Sequence, residues 1–518
     1  MIRTIVKKND YMDSVFLMNA TKRIMKIDGV LDVVVVMGTE MNKTVLAEFG
    51  GLSPEALSAS PNDLIVALDI IDEKSANSVI KCALESLEGN QTYNSLDSSV
   101  TKAYPSLRQA ACAEPKANLA LISVPGDFAA QEAKIALAQG MHVFIFSDNV
   151  PLSEEVALKQ IAQKKGLFVM GPGCGTSVIN NISLGVMSKV RRGRIGIVGA
   201  SGSGIHEIAI QVHKAGMGVS QAIGTGGKDI SKEVGGSTMI RGLRYLEQDK
   251  DTDIIVMVSK PPHPDTMIKI LFEIKKCQKP VVVFLLGGQR DQIIAAGAHC
   301  ADTLEHAAQI AVTLARGGEL CGGDYISECK AALASMALEE RKKLKPEQKY
   351  LRAVFCGGTH SEEAVLMLQD LVPTLHSNLS FGKVKRLENR HRSVENSLID
   401  MGDEEFTKGR PHPVMDPSII NDRLLQEGSD PEVAVILFDL LFGHGVHKDP
   451  VGAIEDSLKK IRNRCREEDR YISMVASLCG TDLDIQGVSE QAKRLEDLGV
   501  ILQNGNAKAA ILAGMILG

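Results

Sequence analysis

Short, continuous apolar runs recur along the chain, each closed by Gly, Ser, Asp or Pro and followed by a stretch of helical period. Val33-Val34-Val35-Val36-Met37 runs into Gly38-Thr39, and residues 119–124 run into Pro125-Gly126-Asp127. Val143-Phe144-Ile145-Phe146 leads to Ser147-Asp148, and Ile195-Gly196-Ile197-Val198 to Gly199-Ala200-Ser201. Residues 254–258 lead to Ser259-Lys260, and residues 281–285 to Leu286-Gly287-Gly288. Strands without polar alternation are buried on both faces. Their alternation with helices predicts an α/β chain of parallel sheets, with the loops at the carboxyl ends of strands as default sites.

The pattern divides into an N-terminal α/β domain over 1–100, a Rossmann-like strand–helix domain over 115–190 and a third domain over 191–315. A Lys- and Glu-rich segment, 316–349, reads as a solvated linking helix before a last α/β domain over 350–518. At about 150 residues per domain, 518 residues suit this division. Lys and Arg total 58 against 64 Asp and Glu, a net charge of −6, and aromatics make up 4%. Without a basic stripe or stacking aromatics, nucleic acid is not an expected partner. No apolar run reaches the roughly 18 residues of a membrane span. The first residues, Met1-Ile2-Arg3-Thr4-Ile5-Val6-Lys7-Lys8, lack the apolar core of a signal peptide. Ten cysteines without a CxxC pair read as reduced thiols, so a cytoplasmic chain is expected.

Four strand ends could hold an anion. The first is Gly199-Ala200-Ser201-Gly202-Ser203-Gly204, where a strand turns into a helix. Free N–H groups and the positive end of the helix dipole attract phosphate there, and Ser201 or Ser203 can cap the helix or bond a phosphate oxygen. No Gly-Lys-Ser/Thr follows, so the loop is not a Walker A motif. The others are Gly171-Pro172-Gly173-Cys174-Gly175-Thr176, Gly224-Thr225-Gly226-Gly227 and Cys356-Gly357-Gly358-Thr359. Each alone is equally a tight turn; four in one chain favour phosphate or another small molecule.

The densest polar cluster is Lys408-Gly409-Arg410-Pro411-His412-Pro413-Val414-Met415-Asp416-Pro417. Arg410 could clamp a carboxylate or phosphate, and His412 could serve as general acid or base. An Arg410–Asp416 salt bridge in a stiff surface loop is the alternative. Asp400-Met401-Gly402-Asp403-Glu404-Glu405 reads as a solvated acidic turn rather than a Mg²⁺ site. His444-Gly445-Val446-His447 lacks a third zinc ligand, so no metal is expected.

Several of these motifs resemble the α subunit of succinyl-CoA synthetase in the same order over roughly residues 115–315. They are the 195–207 segment, Gly171-Pro172-Gly173-Cys174, Gly224-Thr225-Gly226-Gly227 and Lys279-Pro280-Val281-Val282-Val283. The whole chain resembles the FdrA family of acyl-CoA synthetase-like proteins. That likeness rests on Met37-Gly38-Thr39 with Asn42-Lys43, Ser259-Lys260-Pro261-Pro262, Gly409-Arg410-Pro411-His412-Pro413 and Gly480-Thr481-Asp482. The resemblance implies a CoA-binding-type domain followed by two flavodoxin-like ligase-type domains, with phosphate contacts at Ser201 and Ser203.

The resemblance breaks at several points, among them a CoA-binding fingerprint that is not evident in residues 1–100. The phosphohistidine loop of succinyl-CoA synthetase is replaced by residues 287–300, where His299 is displaced and lacks flanking glycines. No ATP-grasp segment is evident. Some FdrA-like proteins are associated with carbamoyl transfer from oxalurate to phosphate in a multi-subunit enzyme of purine breakdown, which needs neither part. The expectation is therefore a subunit passing a carbamoyl or acyl group to or from phosphate. Arg410, His412 and Asp416 are its candidate catalytic groups. Its ligands are phosphate or acyl phosphate and a small acyl or carbamoyl donor, with coenzyme A as a further candidate. Other subunits, or further copies of this chain, are its expected protein partners. An ATP-dependent CoA ligase completed by a separate subunit and a non-catalytic scaffold are the alternatives.

Overall fold

Four sheets collect the apolar runs. In this computed structural model, all residues are described except 9, 11, 13–16, 18, 19, 22, 26, 28, 72–75, 89–103, 105, 321 and 408–410. The chain divides into two units, Met1–Ala103 and Tyr104–Gly518.

The first unit holds β1 (Ile2–Lys7), β2 (Val30–Met37) and β3 (Leu64–Ile70), ordered β1-β3-β2. Both pairings are antiparallel, against the parallel arrangement expected of the valine run at 33–36. A run of valines reports burial on both faces and says nothing about the direction of its neighbour. The two faces do bury: Val33 and Val35 join one core with Leu64 and Val66, and Val34 and Val36 pack against another with Leu46 and Ile65. The Gly38-Thr39-x-x-Asn42 motif is a turn into the helix Glu40–Phe49. Thr39 caps it by accepting from Asn42 N at 3.3 Å, and Asn42 Nδ2 donates to Met37 O at 2.8 Å.

The second unit opens with a parallel sheet of β4 (Leu119–Ile122), β5 (His142–Ile145) and β6 (Val169–Met170). The next sheet contains β7 (Thr176–Ile179), β8 (Ile182–Gly185), β9 (Arg192–Gly199), β10 (Val219–Gly224), β11 (Ile254–Ser259), β12 (Val281–Leu285) and β13 (His299–Cys300). Their order is β13-β12-β11-β9-β10-β7-β8. Five strands run parallel, and the β7–β8 hairpin adds an antiparallel edge. The boundary expected at 190 therefore falls inside this sheet, because the hairpin before it covers the edge of β10. The last sheet contains β14 (Tyr350–Phe355), β15 (Leu375–Ser377), β16 (Val384–Arg386), β17 (Asn396–Asp400), β18 (Val433–Leu441), β19 (Ser473–Cys479) and β20 (Val500–Gln503). It is wholly parallel, in the order β16-β15-β17-β14-β18-β19-β20.

In each seven-stranded sheet the first long parallel strand lies centrally, and later strands are laid on both sides of it. β9 is flanked by β10 and β11, and β14 by β17 and β18. The carboxyl end of such a strand is a topological switch point, where the departing chains diverge and leave a crevice. Helices α1 (Gly202–Lys214), α2 (Leu304–Ala315), α3 (Tyr325–Arg341), α4 (Gly358–Leu368), α5 (Ser418–Ser429) and α6 (Asn506–Leu517) concern the site or its support. α1 and α4 each begin at one of those two switch points. Ile205, Ile208 and Val212 of α1 share a core with Ile195 and Ile197 of β9 and with Leu304 of α2.

α3 corrects the reading of 316–349 as a solvated linker. Glu328, Glu339 and Arg341 are exposed, but Cys329, Leu333 and Ala337 recur at four-residue spacing and are buried with Ala509, Ala510 and Ala513 of α6. The Gly480-Thr481-Asp482 motif fastens the two large sheets together. Thr481 Oγ1 donates to Lys189 O at 2.7 Å, Asp484 accepts from Lys189 N at 2.9 Å, and Asp482 meets His213 Nε2 at 2.5 Å. Among the described residues no helix is long and apolar enough to cross a membrane.

Candidate functional site

The site grows from the start of α1. β9 ends at Gly199, where an added Cβ would lie 2.6 Å from Val258 Cγ1, so the strand passes its neighbour only as glycine. Ser201 is the N-cap: its Oγ accepts from Gly204 N at 3.0 Å. Gly204 in turn packs on that hydroxyl, leaving 2.4 Å for a Cβ. The Gly202 and Ser203 N–H groups have no partner among the described residues, and both residues remain partly accessible. A helix start with unpaired donors is an anion-binding feature.

Two other glycine loops converge on this end of the sheet. Thr225 N donates to Gly199 O at 2.9 Å. A Cβ on Gly224 would strike Cys174 Sγ at 2.4 Å, and one on Gly226, whose φ is +82°, would strike Pro172 O at 2.4 Å. Thr176 is buried, and its Oγ1 stands 3.3 Å from the Cβ position of Gly202. Gly173 lies against the Asp148 carboxylate instead, while Gly175 and Gly227 face open space. The buried Lys159 locks the arrangement from below, donating to Thr225 O at 2.9 Å and pairing with Glu155 at 2.7 Å and Asp229 at 2.8 Å.

The fourth loop arrives from the other large sheet. Ser201 Oγ and Thr359 Oγ1 are hydrogen-bonded at 2.6 Å, and Thr359 N donates to Ser203 Oγ at 3.1 Å. Residues 158 apart in sequence thus bring the starts of α1 and α4 face to face. α4 has no side-chain cap. Gly357 N is held by Asp439 Oδ2 at 3.0 Å, and Cys356 N by Asp439 Oδ1 at 2.8 Å, whereas Gly358 N has no partner among the described residues.

Asp400 is the group that sequence reading missed. It is the last residue of β17 and is buried, not part of a solvated turn. One oxygen accepts from Gly402 N at 2.9 Å, and the other stands 3.4 Å from the Cβ position of Gly358. Burial raises its carboxyl to about 7; the Gly402 N–H and Lys260 charge oppose the rise, and Asp439 and Asp403 add to it. Lys260, at the end of β11, crosses between the sheets to pair with Glu362 of α4 at 2.8 Å.

His412 comes to the same place. Its Nε2 lies 2.8 Å from the Cβ position of Gly402, beside Asp400 Oδ1 and Cys356 O, which leave 3.1 and 2.9 Å to that position. Burial holds its imidazole below the ordinary range, with the Asp439 charge working against that. Asp416 is placed differently: it accepts from Ser418 N at 3.2 Å at the start of α5. Arg410 lies outside the described residues. Both loop cysteines are poor nucleophiles: burial pushes Cys174 to about 11 and, with the Asp439 charge, Cys356 well above the usual thiol range. His299 sits on edge strand β13, paired with Val282 near the amino end of β12 rather than at its carboxyl end.

A family model described as succinyl-CoA ligase like flavodoxin domain matches residues 192–322, and one described as CoA-ligase matches 354–516. A third, described as AllF, heavy metal-associated domain, matches 1–103. That segment contains no histidine and one cysteine, Cys82. The uncharacterized protein YahF of Escherichia coli strain K12 is 40% identical over 514 residues, 99% of this chain and 98% of YahF. The ADP-forming succinate–CoA ligase subunit alpha 2 of Archaeoglobus fulgidus is 31% identical over 188 residues, 36% of this chain and 63% of that subunit. The chain thus spans less than two thirds of the succinate–CoA ligase α subunit it matches. Among solved structures, ATP citrate lyase from Methanothrix soehngenii in complex with citrate and coenzyme A is similar. It shares 19% identity at a TM-score of 0.37, covering 47% of this chain and 46% of that one. With glycine loops and helix starts arranged on two ligase-type domains, the chain belongs to the family of YahF, built on the scaffold of the succinyl-CoA ligases.

Proposed function

We propose that the junction of α1 and α4 binds phosphate or an acyl phosphate, and that this chain is an FdrA-type cytoplasmic subunit transferring a carbamoyl or acyl group to or from it. The observation that carries this reading is the meeting of two helix starts at Ser201, Ser203 and Thr359. The unpaired N–H groups of Gly202, Ser203 and Gly358 would receive phosphate oxygens. Preorganised donors of this kind stabilise charge that develops on phosphate and carbonyl oxygens during transfer.

In carbamoyl transfer a phosphate oxygen attacks the carbonyl carbon of a ureido acid. The new C–O bond forms as the C–N bond breaks, and the leaving amide nitrogen takes the proton that phosphate gives up. A carboxyl titrating near neutrality is suited to carry that proton, and Asp400 is such a group. His412 is the second candidate, and Arg410 would clamp the carboxylate of the donor.

The test uses the full chain, alone and with candidate partner subunits. Oxalurate and inorganic phosphate are supplied, and carbamoyl phosphate is followed by ³¹P NMR. Its appearance, lost in Asp400→Asn, is the expected result; no product in any combination contradicts the proposal. The likeness to succinate–CoA ligase subunits favours a second reading, acyl-CoA formation with a separate nucleotide-binding subunit and bound coenzyme A. Acyl-CoA made only when ATP, coenzyme A and that subunit are present would select it.

A further inference from the structure

Behind the junction, within the first two turns of each helix, lies a second polar cluster. Glu207 of α1, His360 of α4 and Cys479 at the end of β19 are all buried. Their ligand atoms lie within 4.8 Å of one another. His360 is fully buried, and among the described residues its Nε2 has no hydrogen-bond partner. That nitrogen faces Glu207 Oε2 at 3.9 Å.

The other atoms of the cluster are already engaged. Gln211 Nε2 donates to Glu207 Oε1 at 2.9 Å, which fixes the carboxylate and leaves Oε2 toward His360. His360 Nδ1 meets Asp439 Oδ2 at 3.0 Å, and Asp439 is held by the Cys356 and Gly357 N–H groups. A carboxylate on one imidazole nitrogen keeps its proton there and turns the lone pair of the other outward, the usual support of a metal-bound histidine. Glu207 and Asp439 flank His360, and among the described residues no lysine or arginine pairs with either carboxylate. Two buried carboxylates call for positive charge between them. Either the imidazolium of His360 supplies it, its pKa being raised by them against the opposing effect of burial, or a metal ion does so in place of the Nε2 proton.

We propose that Glu207 Oε2, His360 Nε2 and Cys479 Sγ bind one zinc ion between the two ligase-type domains, with water as the fourth ligand. Tetrahedral zinc needs donors about 3.3–3.6 Å apart, which small side-chain rotations provide from the observed spacing. One thiolate, one imidazole and one carboxylate form a borderline-soft set that suits zinc rather than Mg²⁺ or Ca²⁺. Binding releases the thiol proton to solvent. The site pins α1, α4 and β19 together beneath the anion junction and does not depend on what that junction binds.

The full chain is produced in zinc-supplemented medium, desalted, and its metal counted. About one zinc per chain is expected. X-ray absorption at the zinc edge should show one sulfur at about 2.3 Å with nitrogen and oxygen at about 2.0 Å. Cobalt loaded during refolding should give a thiolate charge-transfer band, absent in Cys479→Ser. Cys479→Ser should weaken zinc at least about 100-fold, and Asp439→Asn about 10- to 100-fold. A wild-type chain without metal under both loading routes overturns the proposal, as does a sulfur-free zinc shell. Equal zinc affinity in Cys479→Ser and His360→Gln would also overturn it, since other residues would then be the ligands. The absorption measurement needs no variant, so a variant that fails to fold leaves the test intact.

Discussion

At the start of α1, β9 ends in glycine, Ser201 caps the helix, and two N–H groups have no partner among the described residues. At the start of α4 the same strand–glycine–helix sequence carries no cap, and Asp439 takes the Cys356 and Gly357 N–H groups. Asp400 stands beside the remaining residue, Gly358, and His412 lies next to Asp400 at Gly402. The first start offers free donors; the second carries ionisable groups. In the proposed function the first holds the anion and the second moves protons, a division that a single helix start could not make.

If that division is right, the two sides break differently. The largest effect is expected from Asp400→Asn, which keeps size and loses the proton. Turnover should fall about 10²- to 10⁴-fold while phosphate affinity stays within threefold, read by kinetics and calorimetry. Equal losses in both would place Asp400 on the binding side. Ser203→Asp should do the reverse, weakening phosphate at least about 100-fold through charge at the helix start. Unchanged affinity there would move the anion elsewhere. His412→Ala should lower turnover about 10-fold and flatten its pH profile on the acid side, below the ordinary imidazole range, without altering phosphate affinity.

Stability against pH sharpens the comparison further. Asp400 and Glu363 hold their protons to about 7 in the fold, for burial outweighs the hydrogen bonds that favour their charged forms. Unfolded, they release them near 4. The native state binds the extra protons between those values, so stability falls as pH rises from about 4 to about 7, with the loss complete above. In Asp400→Asn and Glu363→Gln the drop in melting temperature between pH 5 and 8 should shrink by roughly 2–4 °C for each kcal/mol removed. An unchanged drop would mean the carboxyls ionise freely. The smallest effect is expected for Thr359→Val, which removes the hydroxyl contact to Ser201 and should cost about 1 kcal/mol in denaturant unfolding.

The loops at 199–204 and 357–359 are legible in the sequence because glycines directly after an apolar strand mark a close passage and a helix start. Their meeting is not legible, since no local pattern pairs Ser201 with Thr359. Asp400 reads as part of an acidic turn because Gly402, Asp403 and Glu404 follow it. The signal pointing the other way is Leu398-Ile399 just before it, which makes it a strand end. Glu207 and His360 carry no spacing motif; each sits among other polar residues of its helix, and only the packing of two domains brings them together. The valines of β2 foretell burial on both sides but not the antiparallel neighbour. Cys329, Leu333 and Ala337 are outnumbered by the charges of α3, which hide the face it buries.

The central claim is that an anion sits between the two helix starts. A crystal structure of the full chain soaked in inorganic phosphate tests it most directly. The account predicts phosphate oxygens within about 3 Å of the Gly202, Ser203 and Gly358 nitrogens. Phosphate bound at another place, with those nitrogens unoccupied at saturation, would contradict it.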